Sequence, residues 1–274
     1  MAVRESETEE ESARDVLARE LQRLRGASGK SLAQLSDEVN YDRTYLNRLE
    51  NGERLSKREV METLDRTYGT DQLLVGLWKL ARRETFPDRY KRFMWYEAMA
   101  TFMHKYMMVM PGLLQTEEYA RAVLSSAPTP IDTDELDELV VARMGRQEML
   151  SRSEPPSLRV ILDESVLGRP LADDGAWQRQ LAHLVGAAEE PNITLQVLPL
   201  NAGVHDLMGG SLSLLWMADG TTVAYLEGNK SGDLIEEAAE VAQYRRSYEH
   251  LRDLALQPGD SVAFIKRLLE DSRA

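Results

Sequence analysis

The chain has 274 residues, 43% of them apolar, which is enough for two domains with hydrophobic cores. It contains no cysteine, and this excludes disulfides, thiolate metal sites and cysteine nucleophiles. The net charge of −13 argues against a general nucleic-acid coat protein, since such proteins are basic.

Residues 1–12 are rich in glutamate, and we expect them to form a disordered acidic tail. A secretory signal peptide would instead begin with basic and then apolar residues. No uncharged apolar run approaches the roughly 18 residues that span a bilayer. Together with the lack of cysteine, these features predict a cytoplasmic protein with no membrane partner.

Helical spacing of apolar residues predicts five short helices over residues 13–83. The second and third lie in residues 30–52, KSLAQLSDEVNYDRTYLNRLENG. Ser31 and Asp42 are suited to cap their N-termini. Between them, Asn40 tolerates the left-handed backbone that a sharp turn needs. The pattern therefore predicts two short helices joined by a tight turn.

The second of these two helices buries Leu46 and Leu49, which lie three residues apart. Four polar side chains then face outward together: Arg43, Thr44, Asn47 and Arg48. A short helix that exposes such side chains suits a polar, anionic surface, and double-stranded DNA is the natural candidate. The alternative is an ordinary helical hairpin whose polar face is only solvated.

Residues 31–52 resemble the helix-turn-helix of the Xre/phage-repressor family. The resemblance rests on Ser31, Asn40-Tyr41 and the run YLNRLENG at residues 45–52, whose Leu-Glu-x-Gly ending closes the recognition helix. Family members often carry Gln at the position of Leu32, and this chain departs from them there. The resemblance implies that the recognition helix contacts base edges through the following residues: Arg43, Thr44, Asn47 and Arg48.

Four further residues are predicted to contact DNA phosphates, because they lie at helix starts or in the closing turn. They are Ser31, Asn51, Lys57 and Arg58. Residues 14–60 are the only net-positive segment, with ten Lys or Arg against eight Asp or Glu. Phosphate neutralisation supplies most non-specific DNA affinity, so we expect weak binding to random DNA and a reliance on base contacts.

A hinge is predicted near residues 82–87, and a methionine-rich helix over residues 90–110. Two interpretations of the methionines remain open. They are flexible filler in a core helix, or they form an adaptable groove for a ligand or partner. The groove would be lined by Met99, Met103 and Met107.

Residues 84–274 are predicted to form a second, mixed α/β domain, so that the protein as a whole is mainly α. Short apolar runs bounded by Pro, Gly or Asn predict four strands, at residues 158–163, 193–199, 211–217 and 222–227. The Asp219-Gly220 dipeptide predicts a hairpin between the last two strands. Helices are predicted around these strands, which gives a five-helix head followed by helices and a small mixed sheet.

The stretches MPGLLQTEEYARAVL, LRVILDESVLGRP, NITLQVLPLNAGVH and GGSLSLL are similar to a C-terminal domain of unknown function. That domain follows Xre-type heads in many actinobacterial regulators. Family members are often encoded beside a small partner protein, and the pair is described as antitoxin-like. The resemblance covers residues 85–270 and supplies no catalytic residues.

No pattern in the sequence indicates catalysis, a metal or a cofactor. The four histidines lie far apart without metal-ligand spacing. His205-Asp206 is expected to order its loop, and Asp163-Glu164 to cap a helix. The run GNKSGD at residues 228–233 lacks the Gly before Lys that a phosphate loop requires. We therefore expect neither enzyme activity nor a cofactor.

The sequence predicts a sequence-specific DNA-binding transcription regulator. It would act on a pseudo-palindromic operator as a homodimer, because one head reads only a half-site, and it would be nucleoid-associated when bound. We expect dimerisation outside residues 13–83. The alternative is an antitoxin-like interaction factor that holds a small partner protein encoded nearby, with DNA binding secondary. A third hypothesis is an enzyme fused to a DNA-binding head.

Overall fold

A computed structural model describes residues 12–84, 88–127, 131–228 and 231–272. The chain divides into two compact units. The first comprises Met1–Pro87 and Ile131–Ala142, and the second comprises Asp88–Pro130 and Arg143–Ala274. The predicted acidic tail falls outside the described residues except for Ser12, and so do residues 85–87 of the predicted hinge.

The first unit contains the five predicted helices. They are α1 (Ala13–Ala27), α2 (Leu32–Val39), α3 (Arg43–Glu50), α4 (Arg58–Tyr68) and α5 (Leu73–Glu84). Their apolar faces enclose a single core, with Trp78, Met61 and Leu46 among its most deeply buried side chains. Because each helix is too short to be stable alone, this shared core holds the head together. The predicted five-helix head is confirmed.

The second unit is built on a six-stranded mixed sheet, counted over the described residues. Its strands are β1 (Ala100–Met107), β2 (Ser157–Asp163), β3 (Ile193–Leu198), β4 (Ser211–Met217), β5 (Thr222–Gly228) and β6 (Ser231–Ile235). The strand order is β3-β2-β1-β4-β5-β6. The strands β1, β2 and β3 are parallel, and the others pair antiparallel. The predicted mixed sheet is confirmed, and the four predicted strands are β2 to β5.

Helices cover both faces of this sheet. They are α6 (Asp88–Met99), α7 (Glu117–Leu124), α9 (Glu164–Leu167), α10 (Asp174–Ala187), α11 (Ala238–Leu254) and α12 (Pro258–Asp271). One face packs against α6, α10 and α12, and the other packs against α11. Each described helix is too short or too polar to cross a lipid bilayer.

The prediction of one helix over residues 90–110 is wrong beyond Met99. There α6 ends and the chain continues as β1, which lies between β2 and β4 in the sheet. Met103 and Met107 lie four residues apart on β1. A spacing of four places two residues on one face of a strand as well as of a helix, so the methionine pattern fits both.

A buried ion cluster links α6 to the sheet. Glu97 accepts hydrogen bonds from Lys105 Nζ at 2.8 Å and from Arg146 Nη2 at 2.6 Å. Lys105 also donates to Ser213 at 3.1 Å. Burial alone would raise the pKa of Glu97, but the charges of Arg146 and Lys105 outweigh it and lower that pKa to about 2.

A helix distant in sequence completes the first unit. This helix, α8 (Thr133–Arg146), contributes its residues up to Ala142 to that unit. Val141 packs against the core of the head, and the Glu138 side chain is buried. The predicted boundary at residues 83 and 84 assigned this segment to the second domain. Chain order suggested that assignment, whereas charged contacts hold the segment on the head.

Candidate nucleic-acid interface

A capping box and a left-handed residue define the two ends of α2. Ser31 Oγ accepts a hydrogen bond from the Gln34 amide at 3.2 Å, and Gln34 Oε1 accepts one from the Ser31 amide at 2.8 Å. At the other end, Asn40 turns the chain with φ of 57°. Asparagine tolerates this conformation better than most residues. The helix is therefore fixed where the sequence predicted its cap and its turn.

Asp42 caps the N-terminus of the recognition helix α3, and its carboxylate accepts amide hydrogen bonds from Thr44 at 2.8 Å and Tyr45 at 3.1 Å. These backbone hydrogen bonds, from Tyr45 and Thr44, lower the pKa of Asp42. Leu46 and Leu49 are buried in the core of the head, as predicted. The cap and the two leucines together determine which side chains of α3 face outward.

Three of the four predicted base-contact residues lie together on the exposed face of α3. Arg43, Thr44 and Asn47 are exposed and line a shallow cleft. The opposite wall is the start of α2, formed by Ser31, Leu32 and Ala33. The structure therefore brings three predicted base contacts beside one predicted phosphate contact. Leu32, where related heads often carry Gln, packs in part against the core.

Arg48 does not join this cleft. At about 100° per residue, it lies about 140° around the helix from Arg43, at the edge of the outward face. Its side chain is 37% exposed and forms an ion pair with Asp134 of α8, while its Nε lies 3.5 Å from Glu53 Oε2. The structure therefore pairs Arg48 with carboxylates, and Arg48 does not line the cleft that the other three candidates share, although it lies one helical turn after Thr44.

The Leu-Glu-x-Gly ending closes α3 with a left-handed glycine. Gly52 has φ of 71° and donates to the Leu49 carbonyl at 3.1 Å. The Glu53 amide then reaches back to the Arg48 carbonyl at 2.9 Å. Glycine is needed because other residues adopt this conformation only with strain.

The remaining predicted phosphate contacts lie near the ends of α3 and α4. Asn51 is exposed, and its amide donates to Glu53 Oε1 at 3.1 Å. Lys57 is exposed at the start of α4, which has no side-chain cap. Arg58 Nε donates to Glu62 Oε1 at 2.8 Å. A helix N-terminus without a side-chain cap, flanked by two cations, suits a phosphate.

Sequence reasoning missed the acidic side chains that α8 presents to the head. Arg54 lies 4.5 Å above the ring centroid of Tyr45, 3.0 Å from Asp134 and 3.7 Å from Asp137. Glu138 accepts the Leu55 amide at 2.8 Å and pairs with Arg14. The sequence shows only that three acidic residues share one helix face. Their arginine partners lie 80 to 124 positions away, and such distant pairs leave no local sequence pattern.

The predicted methionine groove does not form one surface in the second unit. Met103 and Met107 are buried in the core between the sheet and its helices, whereas Met99 is 58% exposed. No group of three or more His, Asp or Glu side chains converges to hold a metal among the residues that the structure describes.

Two loop predictions concern the edge of the sheet where β1 and β2 end. Asp163 caps α9 through the Ser165 amide at 2.9 Å, as predicted. His205 and Asp206 do not pair with each other. The ring of His205 contacts the Tyr106 hydroxyl at 3.3 Å, and Asp206 accepts from Ser247, so each fixes the loop to a different element.

Two known families match the chain. Residues 16–78 match a family described as "Helix-turn-helix domain", and residues 90–267 match one described as "Domain of unknown function (DUF5753)". No curated protein and no solved structure matches it. The second match covers more than half of the chain. The protein thus belongs to the DUF5753 family and carries an N-terminal helix-turn-helix domain of the DNA-binding type.

Proposed function

We propose that this protein is a sequence-specific transcription regulator that binds double-stranded DNA through α3. The observation that carries the proposal is the cleft in which exposed Arg43, Thr44 and Asn47 face the start of α2. The fork of an arginine matches the two acceptors of guanine, and an asparagine amide matches adenine. We expect Ser31, at the rim of this cleft, to contact a phosphate. The proposal assigns no catalytic activity to either unit.

The proposal includes a dimer on a pseudo-palindromic operator. A recognition helix of eight residues reads only a half-site, and two heads would read half-sites about 34 Å apart. We expect the dimer contacts in the second unit, since the head uses most of its apolar side chains for its own core. Sedimentation of the full chain at micromolar concentration tests this part. A monomer both free and on DNA would contradict the dimer but not DNA recognition.

Selection of bound DNA from a random pool tests the function itself. The full chain is expected to enrich one motif. Asn47→Ala is expected to enrich the same motif with one base pair degenerate, because one bidentate contact is lost. Arg66→Ala, which changes an exposed residue near the end of α4, is the control and should enrich the unchanged motif. Failure of the full chain to enrich any motif would contradict the proposal.

The second candidate function is an antitoxin-like factor that holds a small partner protein. It is favoured by an apolar surface on α6, where Trp95 and Met99 are 57% and 58% exposed and lie four residues apart. Exposed aromatic and methionine side chains are common in protein interfaces. This function requires no exposed Arg43 or Asn47, which is why we place it second.

Calorimetry with a purified small protein encoded beside the gene tests this second candidate. Tight binding that is lost in Trp95→Ser/Met99→Ser but kept in Val204→Ser would support it, since Val204 is exposed elsewhere in the same unit. Absence of binding by the unaltered chain would rule it out.

A further inference from the structure

Three acidic side chains of α8 face three arginines of the first unit. The ion pairs are Asp134 with Arg48 and Arg54, Asp137 with Arg54, and Glu138 with Arg14. All of these residues belong to the first unit. The N-terminal part of α8 is therefore held on the head by charge as well as by the packing of Val141, and one of the charges that it binds belongs to the recognition helix.

All three acids stabilise the fold through Leu55, Arg14 or Arg54. Glu138 is buried, and its carboxylate accepts the Leu55 amide at 2.8 Å. Arg54, the common partner of Asp134 and Asp137, is largely buried over the ring of Tyr45. Removing one partner from a buried ion pair leaves the other charge uncompensated. Breaking these ion pairs therefore destabilises the fold.

The pair between Asp134 and Arg48 differs from these, because Arg48 lies on the outward edge of α3 and is more exposed. Glu53 is its second carboxylate, at 3.5 Å. Arg54 shares Asp134, so the charges of Arg48, Arg54, Asp134 and Glu53 cancel, and Asp137 leaves this edge of the outward face of α3 with a net charge of −1. An approaching phosphate would therefore be repelled there and would find Arg48 already paired.

We propose that Asp134 competes with DNA for Arg48 and so restrains the affinity of the head. Its carboxylate pairs with the Arg48 guanidinium, which we assign here to a DNA phosphate and not to a base edge because Arg48 lies at the edge of the outward face of α3. The head then binds through Arg43, Thr44 and Asn47, and it gains a fourth contact when DNA displaces Asp134 from Arg48. This inference rests on the proposed function, since a protein that did not bind DNA would have nothing to restrain.

Equilibrium binding of the full chain to its selected DNA tests the restraint. Asp134→Asn removes the charge and keeps the shape of the side chain. It is expected to tighten binding about tenfold at 0.1 M salt and to steepen the salt dependence by about one unit, as one added phosphate contact would. The matched control is Glu135→Gln, which makes the same charge change at an exposed residue of the same turn and cleft. It should change the affinity much less.

Introducing Arg48→Gln into the unaltered chain and into the Asp134→Asn variant tests whether Asp134 acts through Arg48. It should change the affinity little in the unaltered chain and remove the whole gain in Asp134→Asn. Thermal unfolding of each variant reports whether loosening Arg54 has disturbed the fold. If Asp134→Asn does not fold, Glu53→Gln removes the other carboxylate at Arg48 and should give a smaller gain in the same direction.

Two outcomes would overturn the inference. One is equal affinity and salt dependence for Asp134→Asn and Glu135→Gln. The other is a gain that persists when Arg48 is also replaced. Both leave the proposed function intact, because the unaltered chain would still bind its selected DNA. If that chain selects no DNA motif, the proposed function itself fails.

Discussion

Arg25 of α1 and Glu50 of the recognition helix form a bidentate ion pair, with Nε–Oε1 and Nη2–Oε2 distances of 2.7 and 2.8 Å. Glu50 is only 5% exposed, and its hydrogen bonds raise the pKa of Arg25. Gln22 of α1 also donates to the Glu50 carbonyl, at 2.7 Å. The glutamate of the Leu-Glu-x-Gly ending therefore fixes α3 against α1 and sets the orientation of the outward face of α3.

Arg25→Met is expected to destabilise the protein by about 3 kcal/mol, because it leaves the buried Glu50 carboxylate without its cation. Urea unfolding followed by circular dichroism would measure the loss. Arg23→Met is the matched control on the same helix. Arg23 pairs with Glu20 at the surface, where such pairs contribute little, so its removal should hardly shift the midpoint. Equal shifts for the two variants would contradict the role given to Glu50.

Gly52→Ala is expected to cost about 1–2 kcal/mol, since its left-handed backbone strains any side chain. Space is not the cause, because a Cβ at this position would lie an ordinary 3.5 Å from Ala18 Cβ. Gly26→Ala in α1 is the control and should be neutral or slightly stabilising, since alanine favours helix. Thermal melts of both variants measure the difference. An unchanged melting temperature for Gly52→Ala would contradict this prediction and would show that the turn accommodates alanine by changing its backbone conformation.

Met103→Ala is expected to destabilise the second unit by about 2–5 kcal/mol, the range for deleting a fully buried large side chain. Met99→Ala removes an equally large side chain at an exposed position and should stay within about 0.5 kcal/mol. Urea titrations of the two variants measure this contrast. Small and equal losses of unfolding free energy in the two variants would contradict the buried position of Met103.

Glu97→Gln is expected to lower the stability at neutral pH, because Lys105 loses its buried carboxylate partner. The folded-state pKa of Glu97 is depressed from 4.5 to about 2, so the charged pair contributes fully above about pH 4.5. That contribution is lost as the pH falls through about 2. The difference in unfolding free energy between the unaltered chain and the variant should therefore be constant above pH 4.5 and shrink toward pH 2. A difference independent of pH over that range would contradict this account.

Local chemistry made the head predictable from sequence. Ser31, Asn40, Asp42 and Gly52 each carry a conformational preference that acts within a few residues, and the structure shows each in its expected place. The strands β2 to β5 were equally predictable from sequence, because they are β-branched or apolar runs between turn residues. The exposed trio of Arg43, Thr44 and Asn47 follows from the same periodicity.

Long-range contacts were not predictable in this way. Strand β1 was read as helix because its methionine spacing suits both periods. The ion pair that removes Arg48 from the cleft depends on Asp134, 86 positions away, and helical periodicity within α3 says nothing about it. A charged residue can be placed on a helix face from sequence, but its partner is decided by tertiary packing.

The binding of selected and random DNA by Arg43→Ala and Arg58→Ala tests the central claim most directly. Arg43→Ala should lose about 1–3 kcal/mol on selected DNA and relax the preference at one base pair, with little change on random DNA. Arg58→Ala should weaken both DNAs alike and lower the salt slope by about one unit. Equal losses on both DNAs in the two variants would contradict this division of roles. If neither variant loses affinity for either DNA, the helix-turn-helix is not the reading head.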